Sequence, residues 1–129
     1  MTMTGCLQIL LMLAYPLVGT ILIEYGMLRL MGERNRSVLR ASVMMNVLTN
    51  VPLNITLLSI NSAGWDVIAV GELVVLAVEM VWYRCVTHQW KKAATYSLLC
   101  NAASFLTGLL IDMVLLYFGY DFYELILNI

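Results

Sequence analysis

The first apolar segment reads LQILLMLAYPLVGTILIEYGML and covers residues 7–28. It contains one charged side chain, Glu24. About 20 apolar residues in a helix cross the roughly 30 Å hydrocarbon core of a bilayer. No lysine or arginine precedes Arg29, so the segment lacks the basic start of a cleaved secretory signal. We therefore predict that it forms a permanent transmembrane helix.

Three further apolar runs follow, at about 38–60, 67–83 and 93–118. The chain of 129 residues is 62% hydrophobic and 12% charged, whereas a soluble domain is usually about 45–50% apolar and a quarter charged. So small a chain cannot bury that much apolar surface within itself, and lipid is the solvent that accepts it. We predict an all-α integral membrane protein with four transmembrane helices, forming a single membrane domain over residues 1–129.

Short polar segments join these helices and suggest their boundaries. Ser37 and Asp66 are predicted to be the N-caps of the second and third helices, because their side chains accept hydrogen bonds from first-turn amides. Within the second helix, the segment Asn50-Val51-Pro52-Leu53-Asn54 predicts a break. An ordinary proline kink is one interpretation, and an unwound ion site of the kind found in transporters is the other.

Basic residues lie in or beside only two of the loops, and they predict the orientation. The seven are Arg29, Arg34, Arg36, Arg40, Arg84, Lys91 and Lys92. By the positive-inside rule both loops face the cytoplasm, which places the N- and C-termini outside a cytoplasmic (inner) membrane. The formal net charge of −1 offers no electrostatic basis for a nucleic-acid partner.

An internal repeat emerges when the chain is compared with itself at an offset of 55 residues. The sequence EYGMLR at 24–29 aligns with EMVWYR at 79–84, and SVMMNVLT at 42–49 aligns with SLLCNAAS at 97–104. The matches fall on rare polar residues, which favours duplication over chance. Repeat 1 spans about 5–60 and repeat 2 about 66–118. Each is a hairpin of two helices, so both insert the same way up as parallel repeats.

Ionisable residues at membrane depth are costly and are functional hypotheses by default. Glu24 lies about six residues from the basic end of its helix, or roughly 9 Å at 1.5 Å per residue. Asn46 lies at a similar depth in the next helix, and Glu79 and Asn101 repeat the arrangement. The predicted polar path comprises Glu24, Ser42, Asn46, Thr49, Glu72, Glu79, Ser97, Asn101, Ser104 and Asp112.

Two interpretations of these polar residues stay open. Hydrogen bonds between carboxyl and amide groups would fix the packing of the helices, or the carboxylates would bind a cation or pass a proton. The sequence has no Ser-His-Asp arrangement and no HExxH motif, and its three cysteines have no metal-ligand spacing. We therefore expect no enzyme activity, no metal site and no cofactor.

The sequence thus supports two hypotheses of function. In the first, the chain is the protomer of a transporter or channel for a cation or a proton-coupled polar solute. Four short helices enclose little space, so a homo-oligomer or a larger membrane complex is expected. In the second, the chain is a non-transporting anchor or assembly subunit of a larger membrane complex, and its cytoplasmic docking surface comprises Arg34, Arg36, Arg40, Lys91 and Lys92.

Overall fold

The computed structural model describes residues 3–60 and 64–120, with side chains from residue 7 onward. These residues form four helices: α1 (Met3–Leu30), α2 (Arg36–Ser59), α3 (Trp65–Thr87) and α4 (Trp90–Tyr117). The prediction of an all-α chain with four helices is confirmed. Each helix begins before its predicted apolar run; α1 and α3 also end after it, whereas α2 and α4 end one residue short of it. Residues 61–63 of the predicted middle loop and the acidic tail at 121–124 lie outside the described residues.

Three of the described helices are long and apolar enough to cross a membrane: the segments 7–30, 36–59 and 90–117. Helix α3 has 23 residues but is not among them. It carries Asp66, Glu72, Glu79 and Arg84, and a charged residue costs about 2.5–3.5 kcal/mol at the centre of a membrane helix. A transmembrane position for α3 stays a prediction.

The helices pack as a closed ring. Helix α1 contacts α2 and α4, and α3 contacts the same two neighbours. Short connections place consecutive helices side by side and antiparallel, and the contact between α4 and α1 then closes the ring. Each hairpin therefore contacts the other on both sides.

Buried side chains concentrate at the end of the ring that carries the basic loops, and they occupy equivalent positions in the two hairpins. The buried pairs, 55 residues apart, are Glu24 and Glu79, Leu28 and Tyr83, Val38 and Ala93, Ala41 and Tyr96, Ser42 and Ser97, Met45 and Cys100, and Asn46 and Asn101. Both hairpins thus turn the same face toward the centre. The duplication itself stays a prediction.

Both predicted N-caps are wrong. Helix α2 begins one residue before Ser37, and Asn35 is its N-cap: Ser37 donates its backbone amide to Asn35 Oδ1 at 2.9 Å. Helix α3 is preceded by Gly64, which offers no side-chain cap, and Asp66 lies in the first turn. There its carboxylate interacts favourably with the positive end of the helix dipole.

The unwound ion site predicted at Pro52 is wrong, whereas the ordinary proline kink, the other interpretation, stays a prediction. Helix α2 is continuous from Arg36 to Ser59. Side chains bond to backbone carbonyls one turn back on either side of the proline. Asn54 Nδ2 donates to the Asn50 carbonyl at 2.8 Å, and Thr56 Oγ1 donates to the Pro52 carbonyl at 2.8 Å. These bonds reach the carbonyls of Asn50 and Pro52, whereas the carbonyl that loses its helical donor to Pro52 is that of Leu48.

Candidate functional site

A buried carboxyl and a buried amide meet between α1 and α2. Asn46 Nδ2 donates to Glu24 Oε2 at 2.7 Å and to the Ser42 carbonyl, one turn back on its own helix, at 3.1 Å. Both Glu24 and Asn46 are 0% exposed. The bond to the Ser42 carbonyl orients the amide, so that its other hydrogen points at the carboxyl group.

The second hairpin contains the same arrangement. Asn101 Nδ2 donates to Glu79 Oε2 and to the Ser97 carbonyl at 2.9 Å. Glu79 is 1% exposed. Since each bond joins residues at the positions equivalent to those in the first hairpin, the local geometry follows from the shared S-x-x-x-N pattern and the glutamate that faces it.

The two pairs form a single cluster to which all four helices contribute. Glu24 and Glu79 are close enough to interact electrostatically, and Glu72 interacts with both. Thr49 Oγ1 on α2 donates its single hydrogen to the Met45 carbonyl at 2.8 Å and shares it with Glu79 Oε1 on α3 at 3.3 Å. Cys100 Sγ on α4 donates to the Glu24 carbonyl at 3.7 Å. The centre of the ring is therefore polar and contains two carboxyl groups.

The residues of the predicted polar path differ in how far they are exposed. Six of its members are buried: Glu24, Ser42, Asn46, Glu79, Ser97 and Asn101. Thr49, Glu72 and Ser104 are half-buried, and Asp112 is exposed. Ser104 Oγ donates to the Asn101 carbonyl at 3.0 Å, which connects the buried members to the exposed end.

A half-open cavity of about 1030 Å³ lies between α1, α2 and α4 at the end away from the basic loops. Its walls are mostly apolar, and its polar groups come from Thr20, Asn54, Ser104 and Asp112. Thr20 precedes Glu24 by one helical turn and lies on the same face. The cavity therefore reaches to within one turn of the carboxyl cluster.

A polar ladder on α2 joins the cluster to this cavity, and the sequence analysis did not identify it. Asn50 Nδ2 donates to Asn46 Oδ1 at 2.9 Å, and Asn54 Nδ2 donates to the Asn50 carbonyl at 2.8 Å. The signal was present, because Ser42, Asn46, Asn50 and Asn54 recur every four residues and share one helix face. Pro52 had suggested that the regular helix stopped there.

The basic-loop end is closed by a second network that the sequence did not predict. Glu33 Oε2 accepts hydrogen bonds from Lys92 Nζ at 2.8 Å and from Tyr96 OH at 2.7 Å. Its Oε1 accepts one from the Asn35 amide at 2.8 Å. Lys92, predicted to belong to the docking surface, is thus held in an ion pair, whereas Arg34, Arg36, Arg40 and Lys91 are exposed.

This network makes the stability of the chain depend on pH. Burial alone would raise the pKa of Glu33, but the hydrogen bonds from Lys92, the Asn35 amide and Tyr96 outweigh it and lower the pKa from 4.5 to about 2. A carboxyl with a lowered pKa stabilises the fold while ionised. We expect this contribution to be complete above pH 4.5 and to be lost as the pH falls toward 2.

Replacement of Glu33 by glutamine tests this dependence. We expect Glu33→Gln to lower the free energy of unfolding by about 1–3 kcal/mol at neutral pH and to flatten its pH dependence below 4.5. Unfolding in mixed micelles at several pH values measures both. An unchanged acid dependence in the variant would mean that other carboxyl groups cause it.

Comparison of the chain with protein-family models, with curated proteins and with solved structures finds no match. The function is therefore inferred from the chemistry of the cluster. Among the described residues, no three His, Cys, Asp or Glu side chains are grouped as metal ligands would be. What the cluster offers is two buried carboxyl groups, each with an oriented amide donor.

Proposed function

We propose that this chain is the protomer of a small oligomeric membrane transporter or channel for a cation or a proton-coupled polar solute. The observation that carries the proposal is the pair Glu24 and Glu79, 0% and 1% exposed and within electrostatic range of each other, beside a cavity lined by Thr20 and Ile23 of the same helix as Glu24. Two negative charges so close together in a medium of low dielectric constant repel strongly. The pair therefore has a chemical reason to take up a positive charge.

The energetics favour transport over a purely structural role. An interhelical hydrogen bond in a membrane contributes only about 0.6–2 kcal/mol, and serine or threonine would provide it without a carboxyl group. A buried carboxyl is expensive by comparison. Retaining two of them, facing each other across the ring, is better explained by a group that binds and releases a charge.

Access to the cluster is unequal at the two ends of the ring. Four side chains are buried on the side of the basic loops: Leu28, Val38, Tyr83 and Ala93. Glu33, in the first basic loop, binds Lys92 and Tyr96, which follow the second. The cavity opens on the opposite side. With the basic loops in the cytoplasm and both termini outside an inner membrane, the cavity would face outward and the packed end would be the closed gate.

Flux through the purified protein tests the proposal. The full chain is reconstituted into liposomes that contain a pH-sensitive dye, and the outside solution is made more acidic than the interior. We expect internal acidification faster than in protein-free liposomes, and saturating with proton concentration. The assay is repeated with sodium and with potassium gradients. For each ion, a rate equal to that of the empty liposomes would reject its transport.

The alternative, an anchor or assembly subunit, is favoured by one observation: Arg34, Arg36, Arg40 and Lys91 are exposed at the same end of the ring. Such a surface would bind an acidic partner at the membrane face. We expect the triple change of Arg34, Arg36 and Lys91 to glutamine to release a partner that co-purifies in mild detergent. Lys92→Gln is the matched control, because Glu33 already engages that charge, and it should retain the partner.

A further inference from the structure

The equivalence of the two hairpins fails at the hydrogen bonds of their carboxyl groups. Glu79 Oε2 accepts from Asn101, and Glu79 Oε1 receives the longer branch, at 3.3 Å, of the hydroxyl bond that Thr49 makes to the Met45 carbonyl at 2.8 Å. Glu24 Oε2 accepts from Asn46, but Glu24 Oε1 has no partner among the described residues. The position equivalent to Thr49 is Ser104, which instead donates to the Asn101 carbonyl at 3.0 Å.

Two hydroxyl groups near Glu24 are also without partners within the ranges described. They are Ser42 Oγ and Tyr83 OH, each 1% exposed. The equivalent serine in the second hairpin, Ser97, donates to the Leu76 carbonyl at 2.8 Å. A leucine, Leu28, is the equivalent of Tyr83. The unsatisfied atoms therefore belong to one side of the cluster only.

These three polar atoms lie close together. The hydroxyl groups of Tyr83 and Ser42 face each other without reaching hydrogen-bond geometry, and the Tyr83 hydroxyl is within electrostatic range of Glu24. The Asn46 amide bridges Glu24 Oε2 and the carbonyl of Ser42. The unpartnered atoms thus come from three helices that meet at this side of the cluster: Glu24 Oε1 from α1, Ser42 Oγ from α2 and Tyr83 OH from α3.

The composition of this group of atoms indicates which ion it takes. An unsatisfied buried polar atom costs about 1–3 kcal/mol, and a buried water molecule typically makes about three hydrogen bonds to such atoms. One water would accept from one hydroxyl group and donate to Glu24 Oε1. Divalent cations require about six or more oxygen ligands, whereas the unpartnered oxygens of this group are three: Glu24 Oε1, Ser42 Oγ and Tyr83 OH. A proton is the ion that one carboxylate oxygen can hold.

We propose that Glu24 Oε1 is the atom that accepts and releases a proton from the cavity, with Ser42 and Tyr83 as positioning residues, and that Glu79 is a structural carboxyl. In the loading step a hydronium ion gives its proton to the carboxylate, leaving a neutral carboxyl and one water. The cavity gives the proton a route to Glu24. Ile23, which lines the cavity, directly precedes Glu24 on α1, and Thr20, which also lines it, lies one helical turn earlier. This inference rests on the proposed transport function, which gives the proton site its role.

Several groups face Glu24 and would influence its titration. From α3 these are Glu72, Glu79 and Tyr83, and from α4 it is Cys100. The α2 side chains facing it, Asn46 and Ser42, are uncharged. The test must therefore separate Glu24 from the other carboxyl groups by substitution.

Infrared spectroscopy of the full chain in lipid provides that test, because a protonated carboxyl group has its own carbonyl-stretch band. We expect one component of this band to grow as the pH is lowered, to be absent in Glu24→Gln and to persist in the matched variant Glu79→Gln, whereas the remaining Asp and Glu residues contribute alike to all three spectra. Tyr83→Phe and Ser42→Ala should shift its midpoint without removing it. Glu24→Asp, which keeps the carboxyl group, should restore a titrating band.

The outcomes separate this inference from the proposed function. A band that survives in Glu24→Gln, or that is lost equally in both glutamine variants, would overturn the assignment of the proton to Glu24, even if the liposomes show flux. A band confined to Glu24 without any flux would leave the proton site standing and reject transport.

Discussion

Replacement of Glu24 by glutamine is expected to reduce proton uptake into liposomes to the rate of protein-free vesicles. Glutamine has nearly the same shape as glutamate, and its side-chain oxygen still accepts the bond that Asn46 Nδ2 makes to Glu24 Oε2. The variant should therefore fold and oligomerise like the wild type. What it loses is the ability to take a proton, which a carboxyl group at this depth provides.

Glu79→Gln is the matched control for this prediction, because Glu79 occupies the equivalent position in the second hairpin. Both of its oxygens are engaged by Asn101 and Thr49, so we expect the variant to retain uptake at a reduced rate. Equal loss in the two variants would indicate that the carboxyl groups work as a pair. If Glu24→Gln takes up protons at the wild-type rate, Glu24 is not part of the transport path.

The largest effect on stability is expected from Tyr83→Ala. Tyr83 is 1% exposed and is the largest of the fully buried side chains. Its ring meets that of Tyr96 edge-on, with centroids 5.8 Å apart. Removal of a buried aromatic side chain costs about 3–5 kcal/mol when the surroundings cannot collapse. Between membrane helices the loss is mainly one of van der Waals packing, and reversible unfolding with sodium dodecyl sulfate measures it.

Two variants control this measurement. Tyr83→Phe should change the free energy of unfolding by less than about 1 kcal/mol, because the hydroxyl group it removes has no partner among the described residues. Leu28→Ala alters the equivalent position in the first hairpin and is expected to cost about 2–5 kcal/mol. A loss below about 1 kcal/mol for Tyr83→Ala would mean that the basic end of the ring is loosely packed.

The two hairpins also differ in the residues that follow the cluster toward the cavity. Asn50 and Asn54 extend the polar face of α2 toward the cavity, whereas the equivalent residues on α4 are Phe105 and Leu109. The asparagine ladder is thus confined to α2, whereas α4 contributes Ser104 and Asp112 to the same cavity.

Local patterns in the sequence predicted much of the fold and the centre of the site. The apolar runs indicated four helices because length and hydropathy act over one segment at a time. The repeat suggested that Glu24 lies level with Asn46, and Glu79 with Asn101, since a hairpin with a short connection fixes the relative depth of its two helices. The N-caps were mispredicted because several neighbouring residues in each loop were suitable caps, and helix ends shift by one or two residues.

The hydrogen-bond partners of the buried polar atoms could be seen only once the helices were packed. The bonds from Thr49 to Glu79 and from Tyr96 to Glu33 join residues far apart in sequence, and no helical spacing predicts them. The same holds for the closure of the ring between α4 and α1 and for the cavity at one end. Local periodicity accounts for the four helices and for which polar residues share a helix face. The partner of each carboxyl oxygen depends on how the helices rotate and pack against one another, which is a property of the assembled ring.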